Sequence, residues 1–507
     1  MGHLQELSLL APNVRAVTTR PNILFIFSDD HALNAISAYG GPLARLAPTP
    51  NINRIAREGA IFKNSFCANS ICGPSRACIL TGKHSHTNGF IDNDNSEFNG
   101  AQWTFPKAFQ AAGYQTAIIG KWHLVTDPTG FDYWEILPGQ GNYYNPDFLQ
   151  QGGGKKRYPG HVTELTTKLA LTWLEKDRDK SKPFVLMCQH KAPHRNWMIA
   201  PEHFGVFKDT VFPEPKSLFD DYANRASTLK TQKMQINADM TWTSDLKVMP
   251  NPLGDASDKV GELNRMTESQ AAAWKAAYAA ENKALLEKFP TMSERDKLRW
   301  KYQRYLKDYL RCVRGVDESA GELLDYLDKS GLAKNTVVIY ASDQGFYLGE
   351  HGWYDKRWMF EESLKMPFLI RWPGVIKPGS RPDALIQNID YAATFLELAG
   401  IPVPSDLQGE SFVPVLKTGK APRTWRKAIY YRYSGEQTHN VAPHDGIRTD
   451  RHKLIYFPST KEWNLFDLKR DPQEMRSVHA EPGYTRTLAE LKALYAQLRT
   501  DYKTPEW

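Results

Sequence analysis

Residues 22–30 read Asn-Ile-Leu-Phe-Ile-Phe-Ser-Asp-Asp, an apolar run that stops at two carboxylates. Asn22 to Ser28 is short, almost wholly apolar and rich in β-formers, the pattern of a strand buried on both faces of a parallel sheet. It empties directly into Asp29 and Asp30. Three more apolar runs behave the same way. Residues 116–119 lead into Gly120-Lys121-Trp122-His123, residues 184–188 are followed by His190 and His194, and residues 337–342 end in Asp343-Gln344-Gly345. In open α/β sheets the carboxyl edge of the strands is where ligands bind. The sequence therefore predicts a doubly wound, mostly parallel α/β sheet with a polar site along that edge.

Helical spacing separates these strands at 53–58, 103–112, 163–176 and 306–330. Residues 213–301 are polar, rich in Ala, Lys and Glu, and read as a helical insertion packed over the sheet. The turn-rich stretch from Gly400 to Pro422 marks a boundary. The expected organisation is a catalytic unit over 20–412 and a smaller C-terminal α+β subdomain over 413–507. That subdomain should have strands at 428–433 and 453–457 and a helix at 485–502.

A chain of 507 residues can bury large cores, and its length alone suggests about two to four domains. The formal charge of +7 is mild for this size and no block of like charge stands out, which argues against a nucleic-acid partner. The apolar runs fall far short of the ~20 residues of a membrane span, so no transmembrane segment is expected. Cys67, Cys72, Cys78, Cys188 and Cys312 have the spacing of neither a zinc ribbon nor a Cys-x-x-Cys redox pair. Residues 1–20 lack a charged region followed by a long apolar one.

The chemistry is concentrated in Cys72-Gly73-Pro74-Ser75-Arg76, closed by Thr81-Gly82. This fits C-x-P-S-R-x-x-x-x-T-G, and on it the chain resembles the type I, formylglycine-dependent sulfatases. Gly113 to His123 resembles that family's second signature. Asp467-Leu468 with Asp471-Pro472-Gln473-Glu474 resembles a late element of it, so the likeness spans essentially the whole chain. The resemblance implies an alkaline-phosphatase-like core. It implies that a maturation enzyme oxidises Cys72 to formylglycine, whose hydrate attacks sulfur. It places Lys121 and His123 beside the sulfate, His194 of Ala192-Pro193-His194 near the leaving group, and Lys356 on the sulfate. Arg76, one turn after Cys72, should orient the nucleophile and neutralise its charge. His190 reads equally well as a site residue or a core histidine.

Asp29, Asp30, Asp343 and Gln344 form the expected metal set. Hard oxygen donors of this kind suit Ca²⁺, with Mg²⁺ as the second choice. Residues 130–134, 143–146, 343–345 and 355–357 resemble N-acetylglucosamine-6-sulfatases and related glycan exosulfatases most. They imply a sulfated glycan substrate, with 6-O-desulfation of a terminal N-acetylglucosamine in mucin-type, keratan or heparan glycans. Tyr143, Asn145, His351, Arg357 and His444 are the candidate substrate contacts, with loop packing as the plain alternative. Two other readings stay open: a phosphate or phosphonate monoester hydrolase on the same scaffold, and a catalytically dead glycan-binding relative. The resemblance points to a periplasmic, secreted or lysosome-like location after loss of a signal peptide that this chain does not contain.

Overall fold

The structure, a computed structural model, describes residues 20–436 and 438–507; the reading of the amino-terminal segment lies almost wholly outside them. Nine strands form one large sheet. In chain order they are β1 (Asn22–Ser28), β2 (Ala60–Phe62), β3 (Gln115–Lys121), β4 (Tyr133–Leu137), β5 (Asp147–Gln150), β6 (Gly154–Arg157), β7 (Phe184–His190), β8 (Thr336–Ser342) and β9 (Phe368–Arg371). Their order across the sheet is β2-β9-β8-β1-β7-β3-β4-β5-β6. The central block β8-β1-β7-β3-β4 is parallel and both flanks are antiparallel.

β1 is central because both its faces are apolar. Ile23, Phe25 and Phe27 enter one core, while Leu24 and Ile26 enter the other. Each such side chain contributes about 1.5–3 kcal/mol on burial. The first core is roofed by helices Cys72–Thr81, Phe105–Ala111 and Asp390–Leu398. The second is roofed by Ile52–Glu58, Val162–Thr172 and Glu294–Lys329. The sheet is thus doubly wound, as the strand pattern predicts.

Register sets the site. Ser28 lies level with His190 on one side and Ser342 on the other. Asp29 N–H donates to the His190 carbonyl at 3.2 Å and Asp343 N–H to the Ser28 carbonyl at 3.3 Å. The residues that follow three strands therefore emerge side by side. On β3, Gly120 has φ of +104°, and a Cβ there would sit 2.0 Å from the Gln189 carbonyl oxygen. Only glycine lets Lys121 arrive this close to β7.

The region read as a helical insertion needs correction. Between 213 and 267 the described helical segments are short 3₁₀ turns at Ser227–Lys230 and Gly261–Arg265. Asp245 accepts from Thr241 N–H at 2.8 Å, and Asp258 accepts from Thr243 and Ser244 N–H at 2.6 and 2.7 Å. Such side-chain bonds compete with the helical ladder. Regular helix begins at Glu268–Lys288, behind a Thr267–Gln270 capping box. The next helix, Glu294–Lys329, starts at the Ser293 cap and runs through residue 301 without a break.

The C-terminal unit is a four-stranded antiparallel meander, β10 (Ala428–Tyr433), β11 (His444–Thr449), β12 (His452–Phe457) and β13 (Glu462–Asp467), with helix Thr485–Asp501 packed on it. Tyr430, Ile447, Leu454 and Leu465 face that helix, whereas Tyr431, Ile455, Phe457 and Phe466 join the first large core. Phe412, Val413, Val415 and Leu416 also belong to that large core.

Candidate active site

Cys72 opens helix Cys72–Thr81 and is buried, its thiol donating to Asp29 Oδ1 at 3.3 Å. Burial pushes the thiol pKa up to about 12, so the unmodified side chain is protonated at neutral pH. The turn that holds it is fixed from three sides. Gly73 N–H donates to Asn93 Oδ1 at 3.1 Å, the Ser75 hydroxyl donates to the Asp343 carbonyl, and Asn388 Nδ2 donates to Ser75 Oγ at 2.8 Å.

Arg76 is buried one turn on. Its Nη1 donates to the Lys121 carbonyl and to Gln189 Oε1, both at 2.7 Å, and its Nε and Nη2 reach Asp343 Oδ2 at 3.2 and 3.0 Å. It also lies 3.5 Å from Asp29 Oδ2. Arg76 thus ties the nucleophile's helix to the carboxylates rather than touching the thiol itself.

Carboxylate oxygens of Asp29, Asp30 and Asp343 lie within 4.8 Å of one another, all fully buried. Asp30 takes a positive φ of 63° and its carbonyl accepts from Tyr309 OH at 2.6 Å. Gln344 Nε2 donates to Asp30 Oδ1, while Gln344 Oε1 is buried without any hydrogen-bond donor. Burial pushes Asp30 up to about 7 even with Lys356 beside it. Three buried carboxylates and an undonated carbonyl oxygen are a donor set that fits a hard divalent cation.

Lys121 Nζ pairs with Asp29 and donates to Gln140 Oε1 at 2.5 Å. Lys356 Nζ lies 2.7 and 2.8 Å from the two oxygens of Asp30. His194 Nε2 approaches Asp30 Oδ2 at 3.8 Å, and its Nδ1 faces the Arg195 carbonyl at 2.6 Å. That carbonyl makes Nδ1 the protonated nitrogen of the neutral ring and leaves Nε2 turned toward the carboxylates. Burial first, then Lys121, Lys356 and Lys191, holds His194 well below the ordinary histidine range. His123 is half-buried at φ of 56°, its Nδ1 lacks a partner, and burial with the same lysines and Arg76 lowers it as well. The structure thus brings Asp29, Asp30, Cys72, Arg76, Lys121, His194, Asp343, Gln344 and Lys356 into one cluster.

The candidate substrate contacts divide. Arg357 stays beside the cluster, paired with Asp355 and with Glu436 at 3.0 Å, while His439 pairs with Asp355 at 3.1 Å. Tyr143 is buried and its hydroxyl donates to the His194 carbonyl at 2.5 Å, so it positions that loop. Asn145 is corrected to a loop hub: it donates to the Arg265 carbonyl at 2.6 Å and accepts from Gly160 N–H at 2.9 Å. His351 is corrected to an interior residue, fully buried, with Nδ1 on Asp220 at 2.7 Å and its ring against Trp353 and Phe360. His444 is corrected likewise. It bonds the Ala442 carbonyl and accepts from Met359 N–H, and its ring packs among Trp358, Tyr431 and Phe457. His190 is a core residue bonded to Ser319 at 2.9 Å.

Sequence reasoning missed Gln140, Gln189, Asn93 and Lys191. Gln189 and Lys191 flank His190 at the end of a buried strand, and that position was the available signal. Gln140 and Asn93 sit in loops with no pattern of their own.

The sulfatase family profile matches residues 21–401, and a profile named for the C-terminal part of N-sulphoglucosamine sulphohydrolase matches 349–501. The chain belongs to the sulfatase family. It is 48% identical over 495 residues to an N-acetylglucosamine-6-O-sulfatase of Bacteroides thetaiotaomicron, covering 96% of this chain and 87% of that one. It is 26% identical to the human N-acetylglucosamine-6-sulfatase, covering 83% and 69%. A solved structure of a protein with its substrate D-glucosamine-2-N,6-O-disulfate superposes with a TM-score of 0.92 at 47% identity, covering 96% and 99%.

Proposed function

We propose that this sulfatase removes the 6-O-sulfate from a terminal N-acetylglucosamine of sulfated glycans, with Cys72 matured to formylglycine and Ca²⁺ held by Asp29, Asp30, Asp343 and Gln344. The observation that carries the reading is the cluster itself, in which a cysteine at a helix N-terminus faces three buried carboxylates ringed by lysines. The likeness at 48% identity to an N-acetylglucosamine-6-O-sulfatase supports the substrate.

When present, formylglycine would supply a hydrated aldehyde as nucleophile and a second hydroxyl that allows sulfate release, and the cation would supply positive charge beside it. The chain's own residues do the rest. Arg76 and Asn93 fix the helix turn that carries residue 72. Lys121 and Lys356 bring ammonium groups to the sulfuryl oxygens, where charge must be offset as the S–O bond breaks. His194 faces the same point through Nε2. Burial and then the lysines keep its imidazole neutral; an arriving sulfate offsets the lysines, so that Nε2 takes up a proton from solvent and gives it to the leaving oxygen.

An alcohol leaving group needs that proton, whereas a nitrophenolate hardly does. His194→Ala is expected to lower kcat/KM on N-acetylglucosamine 6-sulfate by roughly 10²–10⁴-fold, the usual worth of a general acid, and on nitrophenyl sulfate by far less. Equal losses on the two would reduce His194 to a positioning role.

The substrate assignment is tested with a panel of defined sulfated sugars. N-acetylglucosamine 6-sulfate should be cleaved at least ~10²-fold faster than galactose 6-sulfate, because a site that bonds one hydroxyl stereochemistry leaves buried polar groups unpaired with the epimer. Sugars sulfated at the 2-O or 3-O position should be poor substrates. Preference for galactose 6-sulfate would overturn the sugar and leave the sulfatase. A higher rate on an aryl phosphate than on the matching aryl sulfate would favour the monoester hydrolase alternative.

A further inference from the structure

Three ammonium groups and one guanidinium converge on the cluster, and they are not equivalent. Lys121 rests on Asp29, Lys356 on Asp30 and Arg76 on Asp343. Lys191 has no such partner. It is 3% exposed, yet among the described residues its Nζ makes no hydrogen bond or ion pair. Its Nζ lies over the face of the Tyr143 ring, 4.8 Å from the centroid. Its backbone is held, because His194 N–H donates to the Lys191 carbonyl at 3.0 Å, one residue beyond the end of β7.

Its surroundings are those of the reacting centre. Glu262 and then Asp30 act on its charge, and it in turn acts on Lys121, His123 and His194. Glu262 is occupied by the Tyr143 and Tyr144 N–H groups at 2.9 and 3.3 Å. Burial brings the lysine down to about 8, which leaves it charged at neutral pH. A largely buried cation with no carboxylate in contact is costly, and an aromatic face compensates only part of that cost. Such a cost persists at functional sites when the missing partner arrives with the ligand.

We infer that Lys191 is a sulfate-binding residue whose ammonium takes a sulfuryl oxygen of the substrate. This rests on the sulfatase reading above. The sulfuryl group is the one anion that every substrate of such an enzyme carries, and the Cys72 end of the cluster is where it must lie. A sugar-ring contact is the competing assignment, and the two differ in what they predict for an aryl sulfate.

The test uses Lys191→Met and Lys191→Arg in the full chain, with inorganic sulfate as the probe. Lys191→Met should weaken sulfate binding, measured by calorimetry, by about 10- to 100-fold, the worth of one charge-assisted hydrogen bond. It should lower kcat/KM by a similar factor on both N-acetylglucosamine 6-sulfate and nitrophenyl sulfate. In sulfate-free buffer it should melt no lower than the wild type, since the charge it removes has no partner. Added sulfate should raise the melting temperature of the wild type and hardly that of Lys191→Met. Lys191→Arg should recover part of the sulfate affinity. Unchanged sulfate binding in Lys191→Met would overturn the inference, as would a melting temperature well below wild type, which would mark a structural role. A loss confined to the sugar substrate would assign the ammonium to the ring instead. If the wild type cleaved no sulfate ester, the proposed function would fall, and the calorimetric comparison would still decide what Lys191 binds.

Discussion

Cys72→Ala is expected to lower kcat/KM on every sulfate ester by roughly 10⁴-fold or more, the scale seen when a nucleophile is removed, with the fold intact. The thiol sits at the start of helix Cys72–Thr81, and it donates one hydrogen bond, to Asp29 at 3.3 Å. Asp29 keeps its neighbours Lys121 and Arg76 in the variant. The turn keeps the bonds made by Gly73 and Ser75. Loss of one neutral hydrogen bond costs about 1 kcal/mol, too little to unfold the protein. Activity and stability should therefore separate. A pinned nucleophile gives a dead enzyme that melts normally, whereas a structural cysteine would give a live enzyme or an unstable one. The same residue has a chemical readout. A buried thiol with its pKa pushed up to about 12 is a poor nucleophile as it stands. Mass spectrometry of the peptide spanning residue 72, from a host with a maturation enzyme, should show an aldehyde in place of the thiol. Full activity in protein carrying only unmodified cysteine would refute the assignment.

Much of this site is readable from the chain because strand ends are readable. A parallel strand buried on both faces needs an unbroken apolar run, and its end is marked by the first charged residues. Asp29, Lys121 and Asp343 therefore announce themselves, and register places them side by side. The edge strands are less legible. Ala60–Phe62 has three residues and Gly154–Arg157 is exposed and polar, so neither carries a pattern. Histidines are least legible of all. His351 and His444 are of a type that suits a pocket, yet each ring packs among aromatics with a nitrogen used inside the protein. The same imidazole serves as a core aromatic or as an acid, and only the tertiary neighbours decide which. Lys191 shows the converse. Beside a histidine at a strand end it reads as a solvated charge, and its burial without a partner appears only once Tyr143 closes over it.

Asp343→Asn is expected to remove the metal and with it nearly all activity. Asp343 does two jobs in the structure. Oδ1 accepts from Asp30 N–H at 3.1 Å, which fixes the left-handed turn of Asp30. Oδ2 accepts from Nε and Nη2 of Arg76 at 3.2 and 3.0 Å and faces the other carboxylates of the set. An amide keeps the first acceptor but turns an NH₂ group toward a guanidinium, donor against donor, and removes a negative charge from the set. Breaking a buried pair in this way costs about 3–5 kcal/mol, so some loss of stability is built into the variant. The metal assignment is therefore read from a difference rather than from stability alone. Calcium at a hundred times its dissociation constant should stabilise the wild type by about 2.7 kcal/mol relative to chelated protein, if it binds only the folded state. Asp343→Asn should show little or no such gain, and elemental analysis should find its calcium occupancy reduced. The Arg76 contacts to the Lys121 carbonyl and to Gln189 remain, which favours a folded variant in which that comparison can be made. A calcium-induced rise in melting temperature equal to that of the wild type would remove Asp343 from the ligand set. Zinc bound in its place at saturating calcium would overturn the hard-cation reading of Asp29, Asp30, Asp343 and Gln344.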